Sequence, residues 1–138
     1  SKRTKNLKYF LKKLNAEFFF TEFNLVGSSN YAFNVILKKK ENKLMRKILS
    51  KLEREGIEYR MGSAGGGNQL RQPYLKNHIN KSDIVKLKNT EHIHFYSFYI
   101  GNYPELSLKS IDKIINTLNK AVIWKFLLQV AQVILVQF

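Results

Sequence analysis

The sequence predicts a small α/β (α+β) domain, a three-stranded sheet covered by helices. Three observations predict it. Residues 41–55 carry an amphipathic helical pattern that stops at Gly56 and passes into an alternating run at 57–61. Two more β-prone runs lie at 31–37 and 92–100, and a last helical stripe opens after Ser107. The resulting order, β-α-β, a long loop, then β-α, layers helices over one face of a sheet. With 138 residues, 44% of them hydrophobic, one core is expected.

Along the chain, Leu7, Phe10, Leu11 and Leu14 recur at i, i+3, i+4, i+7, which predicts a helix over 3–14. Phe18, Phe19, Phe20 and Phe23 form an apolar cluster, and residues 27–30 supply turn chemistry before the strand at 31–37. In the next helix Leu44, Met45, Ile48, Leu49 and Leu52 share a face, with Lys43, Arg46, Lys47, Lys51 and Glu53 opposite. Gly56 stands where a left-handed cap is wanted. Four glycines between 62 and 69 make a loop, and Pro73 discourages a long helix in the polar stretch 70–91. Residues 92–100, HIHFYSFYI, read as a strand, with Tyr96 and Phe98 on one face and Phe95 and Tyr99 on the other. Ser107 N-caps a helix with Leu108, Ile111, Ile115 and Leu118 as its stripe. Residues 121–138 are apolar except Lys125, Gln129, Gln132 and Gln137; they read as a buried extension of that helix or a partner-binding strip before they read as a membrane span.

The chemistry available is limited. No cysteine is present, which excludes disulfides and thiolate metal sites. His92 and His94 share a face of the expected strand, but no third ligand stands near them in sequence, so a metal site is not expected. Glu17, Glu22, Asp83 and Asp112 form no paired-carboxylate pattern, and nothing orders a nucleophile against a base. The net charge of +14 attracts polyanions. Most of that charge is Lys in an Asn- and Ile-rich chain, which is also what compositional bias writes on a solvated surface. Charge plus the aromatic run keeps a basic nucleic-acid-binding module as the alternative function. The N-terminal stretch has no basic head followed by an apolar run, so a cytoplasmic location is expected.

The glycine loop matches neither the Walker pattern nor the dinucleotide fingerprint. Its bare backbone N–H groups can still approach an anion. Asn68, Gln69, Arg71 and Gln72 add donors beside it, and the Arg71 guanidinium can grip a phosphate or carboxylate at two points.

Several stretches, in order, resemble one family. Residues 28–36 (SSNYAFNVI), 52–60 (LEREGIEYR), 65–75 (GGGNQLRQPYL) and 98–104 (FYIGNYP), followed by Leu106, Ser107, Ile111 and Asp112, are similar to the small C-terminal domain of DegT/StrS-type nucleotide-sugar aminotransferases and their 3-dehydratase relatives. The resemblance covers about residues 28–119 and implies the C-terminal-domain fold of fold-type I pyridoxal-phosphate (PLP) aminotransferases. It divides the chain into an N-terminal helix and connector (1–27), a substrate-capping domain (28–120) and an apolar tail (121–138). It implies a nucleotide-sugar substrate in cell-surface polysaccharide synthesis, contacted by Gly66, Gly67, Asn68 and Arg71. The family's PLP and its catalytic Lys or His belong to a large domain or homodimer partner. No catalytic residue is therefore assigned in this chain, and it is expected to be an inactive fragment that binds no PLP alone.

Overall fold

The computed structural model describes residues 1–65 and 67–136, those from 124 onward by backbone alone. Helix α1 spans Lys2–Lys13, strand β1 Ala32–Ile36, helix α2 Asn42–Arg54 and strand β2 Arg60–Met61. Three 3₁₀ turns follow, Gly62–Gly65, Gln69–Arg71 and Pro73–Leu75, then helices α3 (Lys81–Lys86) and α4 (Lys88–Tyr96), strand β3 (Ser97–Gly101) and helix α5 (Leu108–Val136). The sheet has the order β1-β3-β2, and both pairings are antiparallel. The expected mixed fold with three strands is what the chain forms.

Strand register decides which face is buried. Phe33 lies opposite Ile100 and Val35 opposite Phe98, so all four point to one side. Against them pack Leu7, Phe10 and Leu14 of the α1 segment, Leu44, Met45, Ile48 and Leu52 of α2, and Ile111, Ile114, Ile115 and Leu118 of α5. Phe10 stacks on Phe33 with ring centroids 4.5 Å apart. Residues ahead of position 28 thus contribute to the same core as those after it.

The helix ends are closed by specific groups. At the end of α2 the N–H of Gly56 bonds Glu53 O and that of Ile57 bonds Leu52 O, with Gly56 at φ +66°. This is the paired closure that a left-handed glycine permits, as expected from the sequence. Ser107 Oγ accepts from Ser110 N, the expected cap of α5. In turn α5 finishes its neighbours: Asn119 Nδ2 donates to Lys13 O, and Lys113 Nζ donates to Glu55 O.

Two expectations are corrected. Residues 92–96 are not strand: they complete α4, and β3 begins only at Ser97. Helical spacing there serves contacts that a strand would break. His92 and Tyr96 sit four apart and reach the β1–α2 side, where His92 Nε2 meets Leu37 O at 2.6 Å and Tyr96 Oη donates to Asn42 Oδ1. Glu91, His94 and Phe95 face the other way. The expected aromatic alternation therefore dissolves: Phe98 is core, Tyr99 is on the opposite face, and Phe95 and Tyr96 belong to a helix. Second, the polar stretch 70–91 contains the short helix α3 and the first half of α4. At the other end α5 does extend the last helix, to Val136; of the tail expected to be buried, Ala121 and Val122 are buried and Ile123 is exposed, and the rest falls outside the described side chains. Among the described residues no helix is long and apolar enough to cross a membrane.

Asn102 ties the layers together. Its side chain is fully buried; Nδ2 donates to Arg3 O (2.9 Å) and Asn30 O (2.8 Å), and Oδ1 accepts from Asn6 Nδ2 (3.2 Å). Its own backbone N–H bonds Tyr31 O, and its carbonyl accepts from Arg3 Nε. Asn30 beside it takes φ +52°, a left-handed conformation that asparagine tolerates better than most residues. Replacing Asn102 by Ala removes three side-chain hydrogen bonds at once, those to Asn30 O and Asn6 Nδ2 in the buried interior. We expect it to cost roughly 3 kcal/mol, read from denaturant unfolding.

Candidate functional site

The helices cover one face of the sheet, and a cleft of about 260 Å³ lies over the other. Its floor is the outward row Asn34, Ile36, Ser97 and Tyr99, set there by the alternation that buries Phe33 and Val35. Arg60 and Met61 close one side at β2, Gly62 and Gly67 bound the loop, and Ile93 and Phe23 add apolar walls. No acid lines it. The Arg60 side chain makes no hydrogen bond or ion pair among the described residues, so its guanidinium is available to an anion. A second hollow of about 200 Å³ continues past Arg60 and Tyr99 to Glu58, Tyr59, Gly101 and Tyr103.

The loop wall is held by a polar knot centred on Glu91. Arg71 Nε and Nη2 reach the two Glu91 carboxylate oxygens at 2.8 and 2.6 Å, and Asn68 Nδ2 donates to Oε1 at 2.7 Å. Asn68, 1% exposed, also accepts from Leu70 N and gives its backbone N–H to His94 Nδ1 at 3.1 Å. Because a backbone N–H can only donate, His94 Nδ1 is the acceptor, and a neutral ring carries its proton on Nε2. The Arg71 guanidinium also lies over the Phe95 ring, 4.7 Å from its centroid.

These contacts shift two pKa values. The Arg71 guanidinium above all, with the Asn68 amide, holds Glu91 down at about 2. Burial, reinforced by the Arg71 charge, lowers His94 against the opposing pull of Glu91. Gly67 packs so tightly on the ring that an added Cβ would overlap His94 Nδ1 and stand 3.0 Å from Gly62 O. Steric fit, not a left-handed backbone, is what demands glycine here.

Of the residues expected at the site, Gly67 lines the cleft, while Gly66 lies outside the described residues. Asn68 and Arg71 are brought together, but on Glu91: the two-point grip expected of Arg71 is taken by a carboxylate of its own chain. Gln69 accepts from Tyr74 Oη. His92 and His94 diverge on the helix, and among the described residues no group of three His, Asp or Glu is placed to hold a metal. Sequence reasoning missed Arg60, Asn34, Ser97 and Tyr99. Their signal was available, because outward positions on a strand whose inward positions are Phe, Val and Ile form a floor by alternation alone.

Solved structures share this architecture. The Escherichia coli GDP-4-keto-6-deoxy-D-mannose-3-dehydratase with bound hydrated PLP matches with a TM-score of 0.63 and 25% identity, over 84% of this chain and 30% of that one. A GDP-4-keto-6-deoxymannose-3-dehydratase with a trapped PLP-glutamate geminal diamine gives the same values. A Streptococcus pneumoniae protein assigned as a sugar aminotransferase matches in its apo form at 0.71 and 12% identity, over 95% of this chain and 32% of that one. No family model matches the sequence, and no curated protein matches it significantly. The chain thus has the fold of one part of PLP-dependent sugar aminotransferases and dehydratases, in line with the resemblance in its sequence, and spans about a third of their length.

Both pKa shifts leave the folded chain with fewer protons than the unfolded one. Stability is therefore expected to fall as pH drops, first below about 6.5 as His94 is driven to protonate, then from 4.5 down toward 2 at Glu91. Denaturant midpoints across that range check it, and Glu91→Gln should flatten the lower part of the curve. Gly67→Ala should cost about 1–3 kcal/mol in the same assay.

Proposed function

We propose that this chain is the substrate-capping domain of a PLP-dependent sugar-nucleotide aminotransferase or dehydratase of the DegT/StrS type. The observation that carries the reading is the structural match to the dehydratase over 84% of the chain at 25% identity. The cleft agrees with it in chemistry: one unpaired guanidinium, three neutral hydrogen-bonding side chains and apolar walls suit a phosphorylated sugar.

In this reading Arg60 binds a phosphate oxygen of the nucleotide sugar, and Asn34, Ser97 and Tyr99 face its hydroxyl groups. Gly67 lets the backbone approach closely. Asn68 and Arg71, through Glu91, act as positioning residues that hold the loop against the ligand. Bound PLP would supply an electron sink for amination or dehydration. The cleft does not fit that cofactor as a covalent guest, since no lysine lines it, and no chemical step is derived for this chain. Residues supplied by a large PLP domain or a second copy would complete the site, so the chain alone is inactive. The setting is cytoplasmic synthesis of a cell-surface polysaccharide.

Titration of the labelled protein with a nucleoside-diphosphate sugar, followed by nuclear magnetic resonance, tests the reading. Shift changes should cluster at Asn34, Arg60, Gly67 and Tyr99, and Arg60→Ala should weaken binding by about 10–100-fold, the worth of one hydrogen bond to a charged group. Changes confined to the helix side of the sheet, or none at millimolar ligand, would overturn it. For Arg71→Ala, loss of affinity should come with exposure of the loop to amide hydrogen exchange, as a positioning role requires.

A further inference from the structure

The chain's net charge is sorted in space. Helices α1 and α2 and residues 108–123 of α5 hold fourteen Lys and Arg against two acids, Glu53 and Asp112, a net of +12. All the other residues together bring the total only to +14. A general preference for lysine would spread the excess along the sequence; here it falls on the helix layer, behind the sheet face that bears the cleft. Eleven of the fourteen are exposed: Lys2, Lys5, Lys8, Lys12 and Lys13 on α1, Lys43, Arg46 and Arg54 on α2, and Lys109, Lys113 and Lys120 on α5.

Lys13 pairs with Asp112, and Lys113 lies 3.7 Å from Glu55. On α2, Lys43, Lys47 and Lys51 follow one another at i+4, a repulsive spacing. The Lys47 ammonium is pushed below its ordinary value by burial and by the charges of Lys51 and Arg54. A bound polyanion relieves that repulsion.

The kind of polyanion follows from what surrounds the charge. Up to Ile123 the aromatic rings of these helices are Phe10, which is buried, and Tyr9, which is half-buried with Lys13 over its face and its hydroxyl on Asp112, so bases would find no open stacking platform. Three helices side by side, with α5 between α1 and α2, instead offer a broad basic face. From the end of that face α5 runs on to Val136 through a sequence whose single charge is Lys125. A polybasic face joined to an apolar segment is the combination that retains a peripheral protein on an anionic bilayer, where either signal alone is marginal. We infer that the α1–α5–α2 layer docks this chain on an anionic lipid surface. The docking face and the cleft lie on opposite sides of the sheet, so the inference stands apart from the proposed function.

The test is co-sedimentation of the full chain with phosphatidylcholine vesicles with and without about 30% phosphatidylglycerol. Binding to the anionic vesicles alone is expected, with release in molar salt. The layer variant Lys8→Gln/Arg46→Gln/Lys109→Gln takes one charge from each helix and should weaken partitioning by about 10²-fold, taking a factor of about five per basic residue. The control Lys76→Gln/Lys81→Gln/Lys88→Gln removes the same charge elsewhere and should change it by less than about threefold. Circular dichroism confirms that both variants fold. Four results overturn the inference: no sedimentation with anionic vesicles, equal binding to neutral ones, equal loss in the two variants, or displacement from the vesicles by a stoichiometric RNA oligomer.

Discussion

A three-stranded sheet has two faces, and this chain can cover only one of them. With β3 in the middle, the inward residues Phe33, Val35, Phe98 and Ile100 define a single apolar surface, and α1, α2 and α5 are all drawn to it. The cleft is a consequence. The outward row is left uncovered by α1, α2 and α5, so Asn34, Ser97 and Tyr99 become the floor of a cleft. The connection between β2 and β3, which has to travel over that uncovered side, becomes its wall.

A wall made of glycine-rich loop needs to be fixed, and the Glu91 knot fixes it. One carboxylate on the first turn of α4 collects Arg71 and Asn68, while His94 a turn later takes a backbone N–H from the same loop. The helix N-terminus suits the negative charge, and the guanidinium keeps it ionised. This arrangement separates two kinds of residue in the cleft. Arg60 has its charge free to spend on a ligand, whereas Arg71 has already spent its own on the chain. The resemblance to sugar-modifying enzymes names both the loop and the strand that carries Arg60, and geometry tells them apart.

Much of the architecture was legible in the sequence because it rests on local rules. Gly56 after an amphipathic helix, Ser107 before one, and the apolar spacing of α1 and α2 each act within a few residues, and each appears as expected; the α5 stripe is buried at Ile111, Ile115 and Leu118, whereas Leu108, in the first turn, is exposed. What was not legible depends on partners far away in sequence. HIHFY has strand-forming composition, yet it is helical because Glu91, His92, His94 and Tyr96 find their partners at positions 71, 37, 68 and 42 only with helical spacing. The pairing of Arg71 with Glu91 was not legible, because the two stand twenty residues apart with nothing to flag it. Arg60 looked ordinary because only the uncovered sheet face gives it a cleft to line.

Asn102 sets an order of events for the chain as it is made. The bonds that seat α1 run from Arg3 and Asn6 to residues 102 and 103, close to a hundred positions apart. Contacts of such separation are slow to form, since the intervening loop must close before they contribute. During synthesis, the first helix therefore has no seat until the Gly101–Pro104 turn has left the ribosome. Its apolar stripe, Leu7, Phe10 and Leu14, stays exposed for that interval. Until then the chain is open to chaperones, and to misassociation, along that stripe of the α1 segment.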